Sequence, residues 1–433
     1  MKIFIDNSPL TQSVCGVQRY AECIIPRLVG KLPEGSVKLC PVEAIIEFYK
    51  YQGYFDESLV SNFNFYDRLV SKAYCHLKDE VNAINKYIKE SSVKRGFLQK
   101  KVKREGLRFS KDLMKIMFFE KKILREAIKD VDIYHILYNY FPDEIKKSSK
   151  IKRFITVHDI IPAVRPDLIV QSKKTPFQKQ IQQFKELSNQ EVIFTDSEYS
   201  KQDLCNFNRN VDPANVHVTL LAASDSFKKA SDSEVQQVRI KFKIPNQGRY
   251  ILSTLTGDPK KNMPRVVAAF EELLDAEKLQ DLYLVLFGSL KTADLSVINK
   301  LPSRIKDKVI LPGYVDDEEV SFLHSGALCF CFPSLYEGFG IPVLEAMQCG
   351  APVITSNVSS LPEVAGDAAI LVDPLDTSAL CQAFLNLYND RELCQILSLK
   401  GIQHAKSFTW DACVDKMIEV YKAHSSSSNL NLG

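Results

Sequence analysis

The sequence predicts an α/β protein made of two doubly wound, Rossmann-like halves, and three observations carry that prediction. Short apolar, strand-like runs alternate with helix-like stretches in two separate series along the chain. At 433 residues the chain is longer than one core usually organises, which is about 250–300 residues. A strand from Ala327 to Phe332 also runs directly into Pro333-Ser334-Leu335-Tyr336-Glu337-Gly338-Phe339-Gly340-Ile341-Pro342, a glycine turn with a proline placed where a helix should begin.

Composition narrows the function classes. No run of about 20 uncharged apolar residues could span a bilayer. The N-terminal Met1-Lys2-Ile3-Phe4-Ile5-Asp6 enters a strand and meets an acid too early for a signal-peptide core, which predicts a cytoplasmic location. The net charge of +3 gives no case for nucleic acid. Eleven cysteines are scattered without CxxC pairs or zinc-type histidine spacing, as expected of buried reduced thiols.

The first half opens with a strand, Lys2 to Asp6, then a polar loop closed by Gly16 and a helix that runs toward Leu32 despite Pro26. Gly16 fits either a phosphate-approaching turn or simple helix punctuation. From 49 to 130 the pattern is long, polar and helix-like; from Lys89 onward basic residues well outnumber acidic ones and alternate with apolar ones. Such a stretch suits an anionic membrane surface or a phosphorylated acceptor, and equally a solvated helical face. Strands follow at Asp132–Ile136, Arg153–Asp159, Val192–Thr195 and Val216–Leu220. His158 and Asp159 become site candidates because ligands of parallel sheets bind beyond the C-terminal strand ends. Ser197 is placed to cap the next helix. The Asp130-Val131-Asp132 DxD heads a strand, where a structural role is expected, and no divalent metal is demanded.

After a linker near Leu221–Ser233, strands recur at Tyr250–Ser253, Leu282–Phe287, Val309–Leu311, Ala327–Phe332, Pro352–Thr355 and Ala369–Val372, and the remainder is helical up to a serine-rich tail. Pro264 to Asp275 has helical apolar periodicity. Lys260 and Lys261 fall in the loop after the first of these strands, on the edge from which the Glu337 turn emerges. Either the pair is merely solvated or, with free helix-start amides near Ile341 and Val343, it cradles a diphosphate. Gly338 and Gly340 would let the backbone approach a small ligand. Glu345, inside the helix, suits the two hydroxyls of a ribose, and Glu337 suits those of a hexose, because carboxylates only accept and can bridge two donors. The ligand so described is a nucleotide sugar. A hydrolase acid–base pair is disfavoured by the lysines and the phosphate-like helix start.

The stretch from Val309 to Pro374 resembles the donor-binding half of retaining GT-B glycosyltransferases of family 4, in particular mannosyltransferases of bacterial surface-polysaccharide assembly. Glu337 and Glu345 match the family's E-x7-E motif, and Ser360-Leu361-Pro362-Glu363-Val364-Ala365-Gly366 resembles its following loop. The resemblance implies two facing doubly wound domains with the active site in the cleft: residues 1–225 with an insertion at about 49–130, residues 226–407, and a C-terminal helix, 408–433, crossing back from Phe408-Thr409-Trp410. It implies diphosphate contact by Lys261, donor-sugar contact by Glu337, ribose contact by Glu345, phosphates against Gly16, the reacting sugar and acceptor near His158, and the base near Val315. The motif residues Gly338, Phe339, Gly340 and Ile341 would line the donor site. Leu255-Thr256 stands where many members carry Gly-Arg, leaving Lys260 or Arg265 as substitutes. The implied activity is retaining transfer of a hexose, foremost mannose from GDP-mannose, to a lipid-linked glycan at the inner membrane face. UDP-glucose or dTDP-rhamnose as donor, and a non-catalytic nucleotide-sugar-binding scaffold, are the alternatives.

Overall fold

The computed structural model describes residues 1–6, 16–39, 125, 128–138, 140–169, 174–277, 279–289 and 292–426. Nearly all of the basic stretch 89–130 and the loop before Gly16 therefore lie outside the described residues. Among the described residues there are twelve strands in two parallel six-stranded sheets, ordered β2-β1-β3-β4-β5-β6 and β12-β11-β10-β7-β8-β9. Contacts divide the chain into two compact units, Met1–Thr156 with Ile418–Gly433, and Val157–Met417.

In the first unit β1 (Ile3–Asp6) lies between β2 (Val37–Leu39) and β3 (Ile133–Ile136), and β3 pairs with β4 (Lys152–Val157). Strands buried on both faces read as continuous apolar runs, which is why β1 was legible and β2, only three residues long with Lys38 at its centre, was not. The helix Gly16–Lys31 carries Pro26 within it. In the DxD, Asp130 accepts from Lys2 and from Lys38 at 2.6 Å, and these two ammonium groups hold its carboxyl down at about 2. The helix Trp410–Ser426 starts under the Thr409 side chain, which accepts from the Ala412 N–H at 3.1 Å. From Ile418 on, this helix contributes to the first unit. There Tyr421, fully buried, bonds His135 Nδ1 at 2.6 Å, and His135 Nε2 lies 3.0 Å from Thr156 Oγ1.

The second unit carries β5 (Glu191–Thr195), β6 (Val216–Val218) and the whole second sheet. That sheet comprises β7 (Arg249–Thr254), β8 (Leu282–Phe287), β9 (Val309–Gly313), β10 (Cys329–Phe332), β11 (Val353–Ser356) and β12 (Ala369–Val372). Successive strands run outward from β7 to β9, and then the chain returns to place β10 on the other side of β7. The strand order thus reverses between β7 and β10, the point at which open α/β sheets bind ligands. Its helices bury an apolar stripe on the sheet: Val266, Phe270 and Leu273 of Met263–Glu277 are wholly buried.

Replacing Tyr421 by Phe removes the partner of a buried imidazole nitrogen. It is expected to lower unfolding free energy by about 1–2 kcal/mol, read as a lower denaturant midpoint without change of slope.

Candidate active site

The loops that leave β7 and β10 flank the switch point, and they carry the two sequence candidates, Lys260-Lys261 and Glu337. The β7 loop tightens into a 3-10 turn, Pro259–Lys261, capped by Asp258, whose side chain accepts from the Lys260 N–H. Asn262 follows in the left-handed region, φ 57°, and its side-chain amide donates to the carbonyls of Pro333 at 3.1 Å and Pro374 at 2.7 Å. The Lys260 carbonyl accepts from the Leu335 N–H at 2.7 Å and from Ser334 Oγ at 2.9 Å. The two loops are therefore one unit of backbone before any charge is considered.

The charges meet on Glu337. Lys261 Nζ lies 2.7 Å from Glu337 Oε1 and Lys260 Nζ 3.3 Å from Oε2, while Ser334 Oγ donates to Oε1 at 2.6 Å. The lysines and Glu337, expected at different parts of one ligand, form one cluster. Glu337 is only 7% exposed, and the lysine side chains are 21% and 16% exposed. Burial alone would raise the Glu337 pKa, but the two ammonium groups and Ser334 override it and hold the carboxyl at about 2. Burial also works against Lys260, yet Glu337 and Asp159 raise its pKa. Burial lowers that of Lys261, with Lys260 adding to the effect against the pull of Glu337. Lys261 also sits 4.5 Å over the Phe332 ring. Two ammonium groups against one carboxylate leave a net positive charge, and each ammonium has three N–H donors, so the cluster can still receive an anion.

The turn after Glu337 is built by close approach. A side chain at Gly338 would place Cβ 2.3 Å from the His158 carbonyl oxygen, and Gly340, at φ 115°, caps the helix Ile341–Gln348 against Leu361. Pro342 occupies its first turn as expected. One correction follows: the Val343 N–H already bonds the Gly340 carbonyl at 2.9 Å, so it is not a free anion donor. Serines behind the turn hold its carbonyls and amides: Ser360 Oγ bonds the oxygens of Glu337 and Phe339, and Ser359 Oγ accepts from the Glu337 N–H at 3.1 Å. The Phe339 ring packs edge-on against Phe408. Glu345 lies buried on the same helix, and Val315 is buried beside Tyr314, which is 84% exposed. Gly16 begins the first helix, in the other unit.

His158 lies just past the end of β4, which stops at Val157 and so is shorter than predicted. Its Nδ1 is 2.8 Å from Asp196 Oδ2, at the end of β5. Ser197 caps the helix Glu198–Phe207 as expected, and also donates to the Gly338 carbonyl at 2.6 Å. Glu363 accepts from the Glu198 and Tyr199 N–H groups, the first two of that helix. Of the two substitutes considered for the missing arginine, Arg265 bonds Thr377 at 2.6 Å and Lys260 joins Glu337. Sequence reasoning missed Asn262, Ser334, Ser359 and Asp196; the first is signalled only by a small amide directly after the lysine pair.

Residues 234–404 match the family Glycosyl transferases group 1. The O-antigen chain mannosyltransferase B of Escherichia coli is 33% identical over 293 residues, 67% of this chain and 74% of that protein. The chain belongs to the group 1 glycosyl transferases. Among solved structures, WaaG, a glycosyltransferase involved in lipopolysaccharide biosynthesis, matches this glycosyltransferase with a TM-score of 0.60 at 13% identity, over 97% of this chain and 99% of that one. Anabaena Alr3699/HepE in complex with UDP matches with a TM-score of 0.62 at 13% identity, over 98% and 100%. These likenesses establish the GT-B fold, and family membership makes the protein an enzyme rather than the alternative scaffold.

Because Glu337 titrates at about 2 in the folded chain against an ordinary 4.5, its contribution to stability is complete above pH 4.5 and is lost as pH falls toward 2. Glu337→Gln is expected to be less stable than wild type at pH 7 by a few kcal/mol, since it leaves buried ammonium groups unpaired. Chemical denaturation of both proteins between pH 7 and pH 3 checks this: the difference should hold above pH 4.5 and narrow below it.

Proposed function

We propose that this glycosyltransferase moves mannose from GDP-mannose, with retention of anomeric configuration, to a hydroxyl of a lipid-linked glycan in surface-polysaccharide assembly. The observation that carries the proposal is the Lys260–Glu337–Lys261 cluster at the switch point of a nucleotide-type sheet. The name of the E. coli relative favours mannose, and hence the guanosine donor, over UDP-glucose or dTDP-rhamnose. Lys260 and Lys261 would meet the diphosphate, Glu345 the ribose, and Glu337 would hold both lysines while offering its remaining acceptor capacity to the donor sugar. Gly16 would approach the phosphates, Val315 the base and His158 the reacting hydroxyls. In the transfer, the bond from the anomeric carbon to the diphosphate oxygen breaks and the acceptor oxygen bonds the same face. The acceptor proton passes to the departing diphosphate. Positive charge at the lysines stabilises the oxygen on which negative charge develops, which is where preorganised electrostatics contributes most. No divalent metal is assigned a role, and the enzyme is placed at the inner face of the cytoplasmic membrane, held there by the basic stretch 89–130.

Purified enzyme assayed with GDP-mannose, UDP-glucose and dTDP-rhamnose on an alkyl-linked mannosyl acceptor should turn over GDP-mannose in the presence of EDTA. NMR of the product should show the anomeric configuration of the donor. An inverted product would overturn retention, another donor would overturn the mannose assignment, and absence of transfer from every donor would overturn the proposal. Lys261→Ala is expected to lower kcat/KM by roughly 100-fold or more. Liposomes containing anionic lipid should float the full chain and release a variant lacking 89–130; equal flotation of both would remove the membrane role.

A further inference from the structure

We propose that Asp159 reads the transferred sugar, one oxygen of its carboxylate accepting from a hydroxyl of the donor hexose; the proposal rests on the glycosyltransferase function above. Asp159 is the second residue past the end of β4, and it is half-buried. Its Oδ1 accepts from the Ile161 N–H at 2.9 Å, at the entry to the short helix Ile161–Val164. The other oxygen, Oδ2, has no hydrogen-bond partner among the described residues. A Cβ added at Gly338, the residue after Glu337, would come 2.8 Å from the Asp159 Cβ, so this side chain starts against the Glu337 turn. Its charge reaches the β7 loop as well: burial works against the Lys260 ammonium, and Glu337 and then Asp159 raise its pKa. Asp159 nevertheless makes no direct ion pair with either lysine.

The turn at Ile161 accounts for only one of the two oxygens. Asn or Ser would hold the same N–H without bringing a second negative charge beside Glu337. What the carboxylate adds is a further acceptor that cannot donate, and this restricts what it can face. Diphosphate oxygens are acceptors and carry negative charge, so they and Asp159 repel each other. A hexose hydroxyl donates. The part of a nucleotide sugar that fits Oδ2 is therefore the sugar, with the diphosphate left to the lysines. Because Asp159 abuts Gly338, the hexose concerned is the one assigned to the Glu337 turn, the donor's and not the acceptor's.

Glu337 leaves room for such a helper. It already accepts from Lys261, Lys260 and Ser334, against a carboxylate capacity of about four donors. With its oxygens largely taken up in holding the lysines, it can read the sugar only in part. Asp159 supplies a second carboxylate on the other side of Gly338, carried on a strand end and held by its own turn bond. A carboxylate fixed in this way selects a hydroxyl by position, because a donor sugar that lacks it leaves the charge without its partner.

Calorimetric titration of the full chain with GDP and with GDP-mannose tests this. Asp159→Ser keeps an oxygen for the Ile161 N–H and removes Oδ2. It is expected to weaken GDP-mannose binding roughly 10-fold while GDP binds as it does to wild type, and to raise KM for GDP-mannose but not for the alkyl-linked mannosyl acceptor. GDP-mannose analogues each lacking one hydroxyl identify the group that is read: one of them should bind wild type more weakly than GDP-mannose does and lose nothing further in Asp159→Ser. Equal weakening of GDP and GDP-mannose, a change confined to the acceptor KM, or a further loss with every analogue would each overturn the proposal. Asp159→Asn, which keeps the shape, serves if the Ser variant does not fold: a smaller loss confined to GDP-mannose supports the role, and unchanged binding contradicts it. If wild type turns over another donor, that donor and its nucleoside diphosphate take the place of the guanosine pair in the same titrations. A wild type that binds no nucleotide sugar would instead overturn the function proposed above, so the two failures are distinct.

Discussion

The structure of the candidate site depends on one buried carboxylate shared by two lysines. Glu337 would be expensive to ionise where it lies, and Lys260 and Lys261 would be expensive to keep charged; each makes the others tolerable. Such a cluster contributes modestly to net stability, because desolvation consumes most of the Coulomb attraction. Its value lies in fixing two flexible ammonium groups at a known place with positive charge to spare. That place is where the order of the sheet reverses, between the ends of β7 and β10.

The surrounding residues serve that constraint. Asn262 and the Lys260 carbonyl tie the lysine turn to the end of β10. Ser334, Ser359 and Ser360 satisfy the polar groups of a turn that is buried rather than looped into water. Gly338 admits the His158 backbone, and Ser197 locks it there. The candidate site is thus built from backbone contacts among short loops, with many side chains supporting the three that carry its charge.

Much of this was legible in the chain. The alternation of short strands and helices, the Pro342 helix start and the Ser197 cap all follow from local periodicity and capping chemistry, and all are present. Lys261 and Glu337 stood out as candidates because charge, glycine and strand-end position coincide. Their mutual pairing was not legible, since residues 76 positions apart meet only through the parallel sheet. Neither was Asp196: an acid after an apolar strand looks like a helix-start residue until the fold brings His158 to it. Strand β2 escaped because three residues with a lysine at the centre carry no period. The Val343 amide was misassigned because a short first turn bonded it internally.

The claim that this cluster is the diphosphate seat is tested most directly by a crystal structure of the enzyme with GDP-mannose bound. The diphosphate is predicted to lie at the C-terminal ends of β7 and β10, with Lys260 and Lys261 ammonium groups in hydrogen-bond reach of its oxygens and Glu337 still contacting at least one of them. A donor bound with its diphosphate away from both lysines, and the three-residue cluster unchanged, would contradict the account.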